Sequence, residues 1–292
     1  MRTRNFLLRI PLVLLLAACG ENGGSGDPLP KAVGPALASP SASPSPSPEP
    51  RIVFAVKGDW GAGTPEQGAV TNRMCETRKT TPFDIVVTTG DNFYRPDGTA
   101  TQTNYFGPEA CLTSHPGHQW RAVWGNHDTK GNSTGTVLGA EHTYTWTAGP
   151  AQFFMLDSNK VADAAQTEWL ERELAASQAQ VKVAVYHHPG LTVGLHENSL
   201  AVQQRWMPLF EKHGVDLVLN GHNHGYEHSI QNGVHYVVSG GGGASIYPCV
   251  DDQPWLVTCI AINHLLIVDI EAERISVTAL GTEGQTIDSW ST

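Results

Sequence analysis

Two histidines stand two residues apart directly after an apolar run in the second half of the chain. The run 215–219 predicts a buried strand, and Gly221, His222 and His224 follow its end. Imidazole is neutral over much of the physiological pH range and is the commonest metal-binding side chain. A strand that delivers two imidazoles at its carboxyl end therefore predicts half of a metal site.

Other polar residues that can bind metal follow four further apolar runs. Each run has the length and composition of a buried strand. The residues are Asp59 after the run 51–56, Asp91 after 84–89, Asn126 after 120–124, and His187 after 181–186. Because ligands of open α/β sheets gather outside the carboxyl ends of the strands, we expect these side chains to share one site.

The elements that must position these residues alternate between strand and helix. Helical spacing is found at 65–78, 164–176 and 200–213, and late strands are predicted near 260–270, 275–280 and 286–290. This alternation predicts an α/β fold with a partly parallel sheet. Residues 51–292 are long but acceptable for a single α/β domain, which we expect to be catalytic.

Residues 1–50 have the composition of a targeting segment and a linker. Basic residues precede the apolar run Ile10–Ala18, which is too short to span a membrane and is typical of an export signal. The sequence ending in Cys19 resembles a bacterial lipoprotein cleavage box, which implies that 1–18 is a signal peptide and that Cys19 carries a lipid. The alternative is an ordinary signal peptide with an incidental cysteine. Residues 19–50 are rich in Gly, Pro and Ser and are predicted to be a disordered linker. We expect a lipid-anchored protein of the bacterial cell envelope.

Charge and cysteine content restrict the possible partners. Acidic residues outnumber basic ones 28 to 18, so no nucleic-acid-binding surface is evident. Four cysteines remain after Cys19, and an even number in an exported chain predicts disulfides with three possible connectivities. Cys75–Cys111 and Cys249–Cys259 are favoured because each pair closes a modest loop.

The strand-end residues form five short motifs in a recognisable order. The motifs are Gly58-Asp59, Gly90-Asp91-Asn92, Gly125-Asn126-His127-Asp128, His187-His188-Pro189 and Gly221-His222-Asn223-His224. This ordered set resembles the calcineurin-like metallophosphoesterases. The residues around Trp60 and Tyr94 resemble the purple acid phosphatases, especially the tartrate-resistant type. The resemblance implies a four-layer α/β/β/α sandwich of two mixed β-sheets flanked by helices.

The resemblance also implies two metal ions, Fe(III) together with Fe(II), Zn or Mn. One ion would be bound by Asp59, Asp91, Tyr94 and His224, and the other by Asp91, Asn126, His187 and His222. Oxygen donors that include a phenolate suit a trivalent ion, whereas Asn and two His suit a divalent one. In the alternative interpretation Asp59 and Asp91 cap helices, Asn126 is a turn residue, and Tyr94 packs in the core. His188 is interpreted as a neighbour of the ligand His187.

Three further residues receive catalytic roles from the resemblance. His127 would face the substrate phosphate, and Asp128 would orient its ring. His196 corresponds to a candidate proton donor, with a solvated loop residue as the alternative. A second histidine of that loop is replaced by Leu200, so the leaving-group acid stays open. The role of Glu227 is open as well.

The resulting functional prediction is an exported phosphatase that hydrolyses phosphate monoesters. Its substrate would be a small phosphoester, and two metals would activate a water for attack on phosphorus. Two alternatives use the same residues. One is a phosphodiesterase acting on nucleotides or lipid headgroups, and the other is a non-catalytic metal-binding surface lipoprotein.

Overall fold

The computed structural model describes residues 50–292, which form thirteen β-strands and six α-helices. The predicted signal peptide 1–18 and residues 19–49 of the predicted linker lie outside the described residues. The strands are β1 (Arg51–Lys57), β2 (Ile85–Thr88), β3 (Gln119–Ala122), β4 (Tyr144–Ala148), β5 (Ala151–Met155), β6 (Val181–Val185), β7 (Leu217–Asn220), β8 (Tyr226–Gln231), β9 (Val234–Ser239), β10 (Leu256–Ile260), β11 (His264–Glu271), β12 (Arg274–Gly281) and β13 (Thr286–Ser291). The helices are α1 (Pro65–Arg78), α2 (Ala110–Thr113), α3 (Ser133–Thr136), α4 (Ala164–Ala176), α5 (Leu200–Arg205) and α6 (Met207–His213).

The strands form two mixed sheets. The first has the order β13-β12-β11-β1-β2-β3, in which β1, β2 and β3 are parallel. The second has the order β10-β8-β9-β7-β6-β5-β4, in which β5, β6, β7 and β9 are parallel. Parallel strands present their carboxyl ends at the same edge of a sheet. The predicted ligands that follow β1, β2 and β3 therefore share one edge, and those that follow β6 and β7 share another.

Alternate residues of the strands pack to opposite sides of each sheet. Phe54 of β1 and Phe153 of β5 belong to the core between the sheets, where their rings make an edge-to-face contact with centroids 5.3 Å apart. On the outer face of the first sheet, Ala55 packs with residues of α1 and α2. On the outer face of the second sheet, Phe154 packs with residues of α4, α5 and α6. The predicted four-layer α/β/β/α sandwich is confirmed.

The helix ends follow from local chemistry. Thr64 caps α1 by accepting a hydrogen bond from the backbone N–H of Gln67 at 3.1 Å, and Pro65 occupies the first turn. The single helix predicted at 200–213 is two helices that meet at Trp206. Pro208 explains the break, because proline has no N–H to continue the helical hydrogen bonds. No helix among residues 50–292 is both long and apolar enough to cross a bilayer.

Two strands on the edge side of the second sheet depart from the sequence prediction. The sequence predicts no strand at 226–231, where the structure has β8, and none at 256–259, where it has most of β10. The strand predicted near 260–270 corresponds to β11 of the first sheet. In β8 the polar residues Glu227, His228 and Ser229 are buried. The strand therefore lacks the apolar pattern by which buried strands are identified.

Both favoured disulfides are present. Cys75–Cys111 joins α1 to α2, and Cys249–Cys259 joins the loop before β10 to that strand. The second disulfide closes a loop of sequence separation 10. This loop borders the predicted site, so the disulfide restrains a wall of it.

Candidate metal centre

The backbone is strained where three of the predicted ligands follow their strands. Asp59, Asp91 and His222 have positive φ angles of 57°, 49° and 74°. Residues other than glycine seldom adopt this left-handed region, because the Cβ atom approaches the backbone. Strain of this kind persists only where the surrounding structure imposes it, and it concentrates at functional sites. The strain therefore marks the ends of β1, β2 and β7 as a candidate site.

Two glycines allow these strand ends to approach each other. Gly90 has a φ of 94°, and a Cβ atom added to it would lie 2.7 Å from Nδ1 of His187. A Cβ atom added to Gly125 would overlap the carboxylate of Asp91. A larger residue at either position would therefore displace a predicted ligand.

Asp59, Tyr94 and His224 form the first group of predicted ligands. The hydroxyl of Tyr94 donates to Oδ1 of Asp59 at 3.2 Å and lies 3.0 Å from Nε2 of His224. The same Nε2 is 3.4 Å from Oδ1 of Asp59. Nδ1 of His224 is 2.6 Å from the carbonyl oxygen of Ser245, to which it donates. This hydrogen bond leaves Nε2 facing the two oxygens, as in a metal-binding histidine.

Asp91, Asn126 and His187 form the second group. Nε2 of His187 is 3.1 Å from Oδ1 of Asn126 and 3.4 Å from Oδ2 of Asp91. Nδ1 of His187 donates to the carbonyl oxygen of Thr89 at 2.9 Å. The two groups therefore share one arrangement, in which a backbone carbonyl fixes the imidazole and Nε2 faces oxygen donors.

His222 and the two carboxylates connect the groups. Ligand atoms of Asp59, Asp91 and His187 lie within 4.8 Å of one another, as do those of His187, His188 and His222. The backbone N–H of His222 donates to Oδ2 of Asp59 at 3.0 Å. All seven predicted ligands are therefore brought into one cluster, and His188 lies in it as a neighbour.

The cluster concentrates buried negative charge. Burial acts to raise the pKa of Asp91, but the imidazoles of His187 and His127 and the hydrogen bonds to Asp91 hold its pKa below the ordinary value. Burial disfavours the charged form of His187, yet Asp91 raises the pKa of His187 to about 9. Burial, Asp59 and Asp91 raise the pKa of Tyr94 well above its ordinary value. The phenol therefore keeps its proton unless a cation lies beside it.

The chemistry of the donors fits metal ions. The predicted metal ligands in the loops after the first sheet's strands are all oxygen donors, and those in the loops after the second sheet's strands are all nitrogen donors. The donors are Asp59, Asp91, Tyr94 and Asn126 in the first case and His187, His222 and His224 in the second. Oxygen and imidazole donors without thiolate suit Fe, Zn and Mn.

His127 lies on the open side of the cluster. Its backbone N–H donates to Oδ1 of Asp91 at 2.8 Å, and its Nε2 is 3.9 Å from Oδ2 of the same residue. The ring packs on that of Tyr94 with centroids 4.3 Å apart, and 37% of the side chain is exposed. A histidine in this position can reach a substrate that enters the cluster from solvent.

Asp128 does not orient the ring of His127, which corrects the prediction from the sequence. Its carboxylate accepts hydrogen bonds from the backbone N–H groups of Asn92, Phe93 and Gly125 at 2.8–3.1 Å and from the side-chain amide of Asn92 at 2.9 Å. None of the hydrogen bonds found within residues 50–292 joins it to the His127 ring. The side chain turns inward because four donors surround it there, so it ties the loop after β3 to the loop after β2.

His196 lies over the second sheet's side of the cluster. Its ring stacks on that of His222 with centroids 4.2 Å apart. Its backbone N–H donates to Oδ1 of Asn223 at 2.8 Å, and the amide of Asn223 donates to Oγ1 of Thr192 at 2.6 Å. The same hydroxyl donates to Oε1 of the buried Glu227 at 2.8 Å. Asn223 and Glu227 therefore position the loop that carries His196. The role of Glu227, which the sequence leaves open, is to anchor this loop.

Tyr247 is a site residue that the sequence analysis missed. Its ring stacks on that of His224 with centroids 4.0 Å apart and makes an edge contact with the ring of His196 at 5.3 Å. Tyr247 lies in the irregular segment before β10, outside every motif. The sequence contains no signal for it, because only the folded chain brings this segment to the cluster.

Comparison with known proteins decides the family. The family model described as calcineurin-like phosphoesterase matches residues 52–226. The chain belongs to this family. The phosphoesterase is 29% identical to purple acid phosphatase 7 of Arabidopsis thaliana, over 69% of this chain and 73% of that protein. It is 25% identical to tartrate-resistant acid phosphatase type 5 of Mus musculus, over 66% of this chain and 73% of that protein. The predicted resemblance and the enzyme class, a metal-dependent phosphoric ester hydrolase, are confirmed.

Solved structures share the fold of this phosphoesterase. The purple acid phosphatase PPD1 of yellow lupin superposes with a TM-score of 0.70 at 19% identity, over 86% of this chain and 55% of that one. GAP50, the anchor in the inner membrane complex of Plasmodium, superposes with a TM-score of 0.71 at 18% identity, over 83% of this chain and 88% of that one. One fold therefore serves a phosphatase and an anchor, and only the residues of the site distinguish such functions.

Proposed function

We propose that this phosphoesterase hydrolyses phosphate monoesters at two metal ions bound between its sheets. One observation carries the proposal: seven donor side chains from five strand ends meet in one cluster, three of them on strained backbone. A cluster that only stabilised the fold would not require left-handed backbone at its carboxylates. Asp59 and Asp91 are both buried, and bound cations would stabilise the charged forms of the two carboxylates.

Each group of donors would hold one ion. Asp59, Tyr94 and His224 would hold Fe(III), for which a phenolate oxygen is suited. Asn126, His187 and His222 would hold Fe(II), Zn or Mn, and Asp91 would contact both ions. When bound, two such cations would supply positive charge for the phosphate oxygens and would make a water acidic enough to serve as the nucleophile near neutral pH.

His127 would stabilise the charge that develops on the phosphate. It faces solvent at the cluster, and its packing on Tyr94 and the hydrogen bond from its backbone to Asp91 fix its position. A donor that is already oriented costs no reorganisation when charge develops, which is why such groups contribute strongly to catalysis.

His196 would protonate the leaving oxygen of the ester. Because alkoxides need this proton and 4-nitrophenolate does not, His196→Ala should slow hydrolysis of an alkyl phosphate about 100-fold and of 4-nitrophenyl phosphate much less. Steady-state kinetics on both esters test the assignment. Equal losses on the two esters would show that His196 acts through binding or through the position of His222.

The proposed function is tested by metal content and a substrate panel. We expect the purified full chain to hold two metals and to hydrolyse phenyl phosphate faster than bis(phenyl) phosphate. A diester preferred at matched metal content would favour the phosphodiesterase alternative, and a metal-loaded protein inactive on both would favour the non-catalytic one.

The trivalent ion has its own optical test. An iron(III) ion bound by Tyr94 would give a visible charge-transfer band. Tyr94→Phe should abolish this band, whereas Tyr247→Phe, which alters the ring stacked on His224, should keep it. A colourless and active wild-type enzyme loaded with zinc or manganese would exclude iron(III) at Tyr94.

We also propose that the protein is exported and anchored by a lipid on Cys19, with residues 19–50 as spacer. The two disulfides support export, because such bonds persist in oxidising compartments. Membrane fractionation tests the anchor. The full chain should fractionate with membranes and Cys19→Ser should not, whereas a wild-type protein found only in the soluble fraction would contradict the anchor.

A further inference from the structure

We propose that a groove beside His196 binds the leaving group of the ester and selects monoesters of apolar, uncharged alcohols or phenols. This inference rests on the proposed function, because it assigns the substrate class of the same site. The groove has a volume of about 400 Å³ and lies between the loop 192–198 and the segment at 250–251.

The groove carries an unusual amount of exposed apolar surface. Leu195, Leu200 and Val250 line it and are 57%, 65% and 58% exposed. Single exposed apolar residues are common on protein surfaces, but several that line one concave site are typical of a ligand-binding site.

The groove adjoins the metal centre through His196. His196 lines it, and the ring of His196 stacks on that of His222 with centroids 4.2 Å apart. An ester whose phosphate lies at the cluster and whose leaving oxygen faces His196 would therefore extend its organic part along the groove. This shared position of His196, between the groove and His222, is the reason for assigning the groove to the leaving group.

The walls of the groove are held together by hydrogen bonds and a disulfide. The backbone N–H of Val250 donates to the carbonyl of Val193 at 2.8 Å, and the N–H of Val193 donates to the buried carboxylate of Glu227 at 2.8 Å. Cys249, which precedes Val250, is bonded to Cys259 of β10. A groove with restrained walls is formed before the substrate arrives, which lowers the entropy cost of binding.

Charge at the groove discriminates against further anionic groups. Glu197 and Asp251 line it, and the lining described by the structure includes no lysine or arginine. Like charges across a binding site disfavour a partner. Nucleotides and polyphosphates carry additional negative charges that would face these carboxylates, so the structure favours an ester with a neutral apolar substituent.

Two aryl esters that differ in apolar area test the inference. The wild-type enzyme should show a kcat/KM about 10-fold higher for 2-naphthyl phosphate than for phenyl phosphate, because the second ring is buried in the groove. The double variant Leu195→Ser/Leu200→Ser should reduce this ratio to about 1. Val257→Ser is the matched control, because Val257 is 56% exposed and lies outside the groove.

A charged ester tests the electrostatic part. Glu197→Gln combined with Asp251→Asn should raise kcat/KM for 4-carboxyphenyl phosphate about 3-fold relative to phenyl phosphate. A wild-type enzyme with equal kcat/KM on phenyl and 2-naphthyl phosphate, or a leucine double variant that keeps the preference, would overturn the inference and leave the proposed function intact. A metal-loaded wild-type enzyme that hydrolyses none of these esters would overturn both.

Discussion

The two sheets make different contributions to the candidate metal centre. The predicted metal ligands of the first sheet's loops are Asp59, Asp91, Tyr94 and Asn126, all oxygen donors, and those of the second sheet's loops are all imidazoles. Neither set alone combines the oxygen and nitrogen donors of the proposed centre. The metal centre therefore depends on the packing of the two sheets against each other. The contact between Phe54 and Phe153 in the core helps to hold the sheets together.

The donors of the two sheets are also held in different ways. The imidazoles of His187 and His224 are oriented by backbone carbonyls, to which they donate from Nδ1. The carboxylates of Asp59 and Asp91 accept backbone N–H bonds, and the donor to Asp59 is His222 of the opposite sheet. One sheet therefore helps to position the ligands of the other.

The largest expected effect comes from the residue that both groups of donors share. Asp91→Asn keeps the volume and an acceptor for the backbone of His127 but removes the charge between the proposed ions. We expect loss of at least one metal and loss of phosphatase activity, measured by elemental analysis and kinetics on phenyl phosphate.

Asp84→Asn is the matched control for Asp91→Asn, because Asp84 is an exposed carboxylate paired with His115. It should keep both metals and full activity. If Asp91→Asn retained two metals and the wild-type rate, the two sheets would not share an ion through this residue.

A smaller effect is expected where the first sheet's loops are tied to each other. Asp128→Asn removes one of the two oxygens that receive hydrogen bonds from Asn92, Phe93 and Gly125. Substitution of a residue that positions a metal ligand typically lowers metal affinity about 10–100-fold, and we expect a loss of that size for Asp128→Asn. Metal titration followed by calorimetry measures it.

Asp216→Asn provides the comparison for Asp128→Asn. Asp216 accepts a hydrogen bond from the backbone of Lys182 at 2.8 Å and so ties neighbouring strands at their amino ends. Equal losses of metal affinity in the two variants would indicate general destabilisation, and the specific role of Asp128 would be refuted.

A last effect concerns stability rather than activity or affinity. If metals join donors of both sheets, a chelator should lower the melting temperature of the wild-type protein. A free metal concentration about 1,000 times the Kd raises the free energy of unfolding by about 4 kcal/mol. For a domain of this size, this corresponds to a melting temperature about 10 °C higher. Scanning calorimetry with and without chelator gives the shift. Asp91→Asn should show a smaller one, and an unchanged wild-type value would mean that metal does not link the sheets.

Much of this molecule was predictable from local patterns. The apolar runs before Asp59, Asp91 and His187 identify buried strands, and the polar residue after each run identifies its carboxyl end. The pairing of the cysteines follows from short sequence separations. These features were predictable because each depends on neighbours in the sequence.

The features that escaped prediction depend on contacts distant in sequence. Tyr247 stacks on His224, and its backbone N–H donates to the carbonyl oxygen of His224 at 2.9 Å, although 22 positions that carry no shared motif separate the two residues. The strand β8 was missed because its buried residues are polar, and Glu227 among them is satisfied by Thr192 and Val193. A buried polar residue is identified only when its partners are known.

The sequence by itself determined which donor types follow which strands, because strand ends and metal-binding side chains are both local features. Only the tertiary structure decided that the oxygen donors and the nitrogen donors come from different sheets, that Asp128 ties two loops together, and that Leu195, Leu200 and Val250 line one groove. The physical reason is that these outcomes depend on the docking of two sheets. Docking depends on the packing of the whole core between them, which no single stretch of sequence specifies.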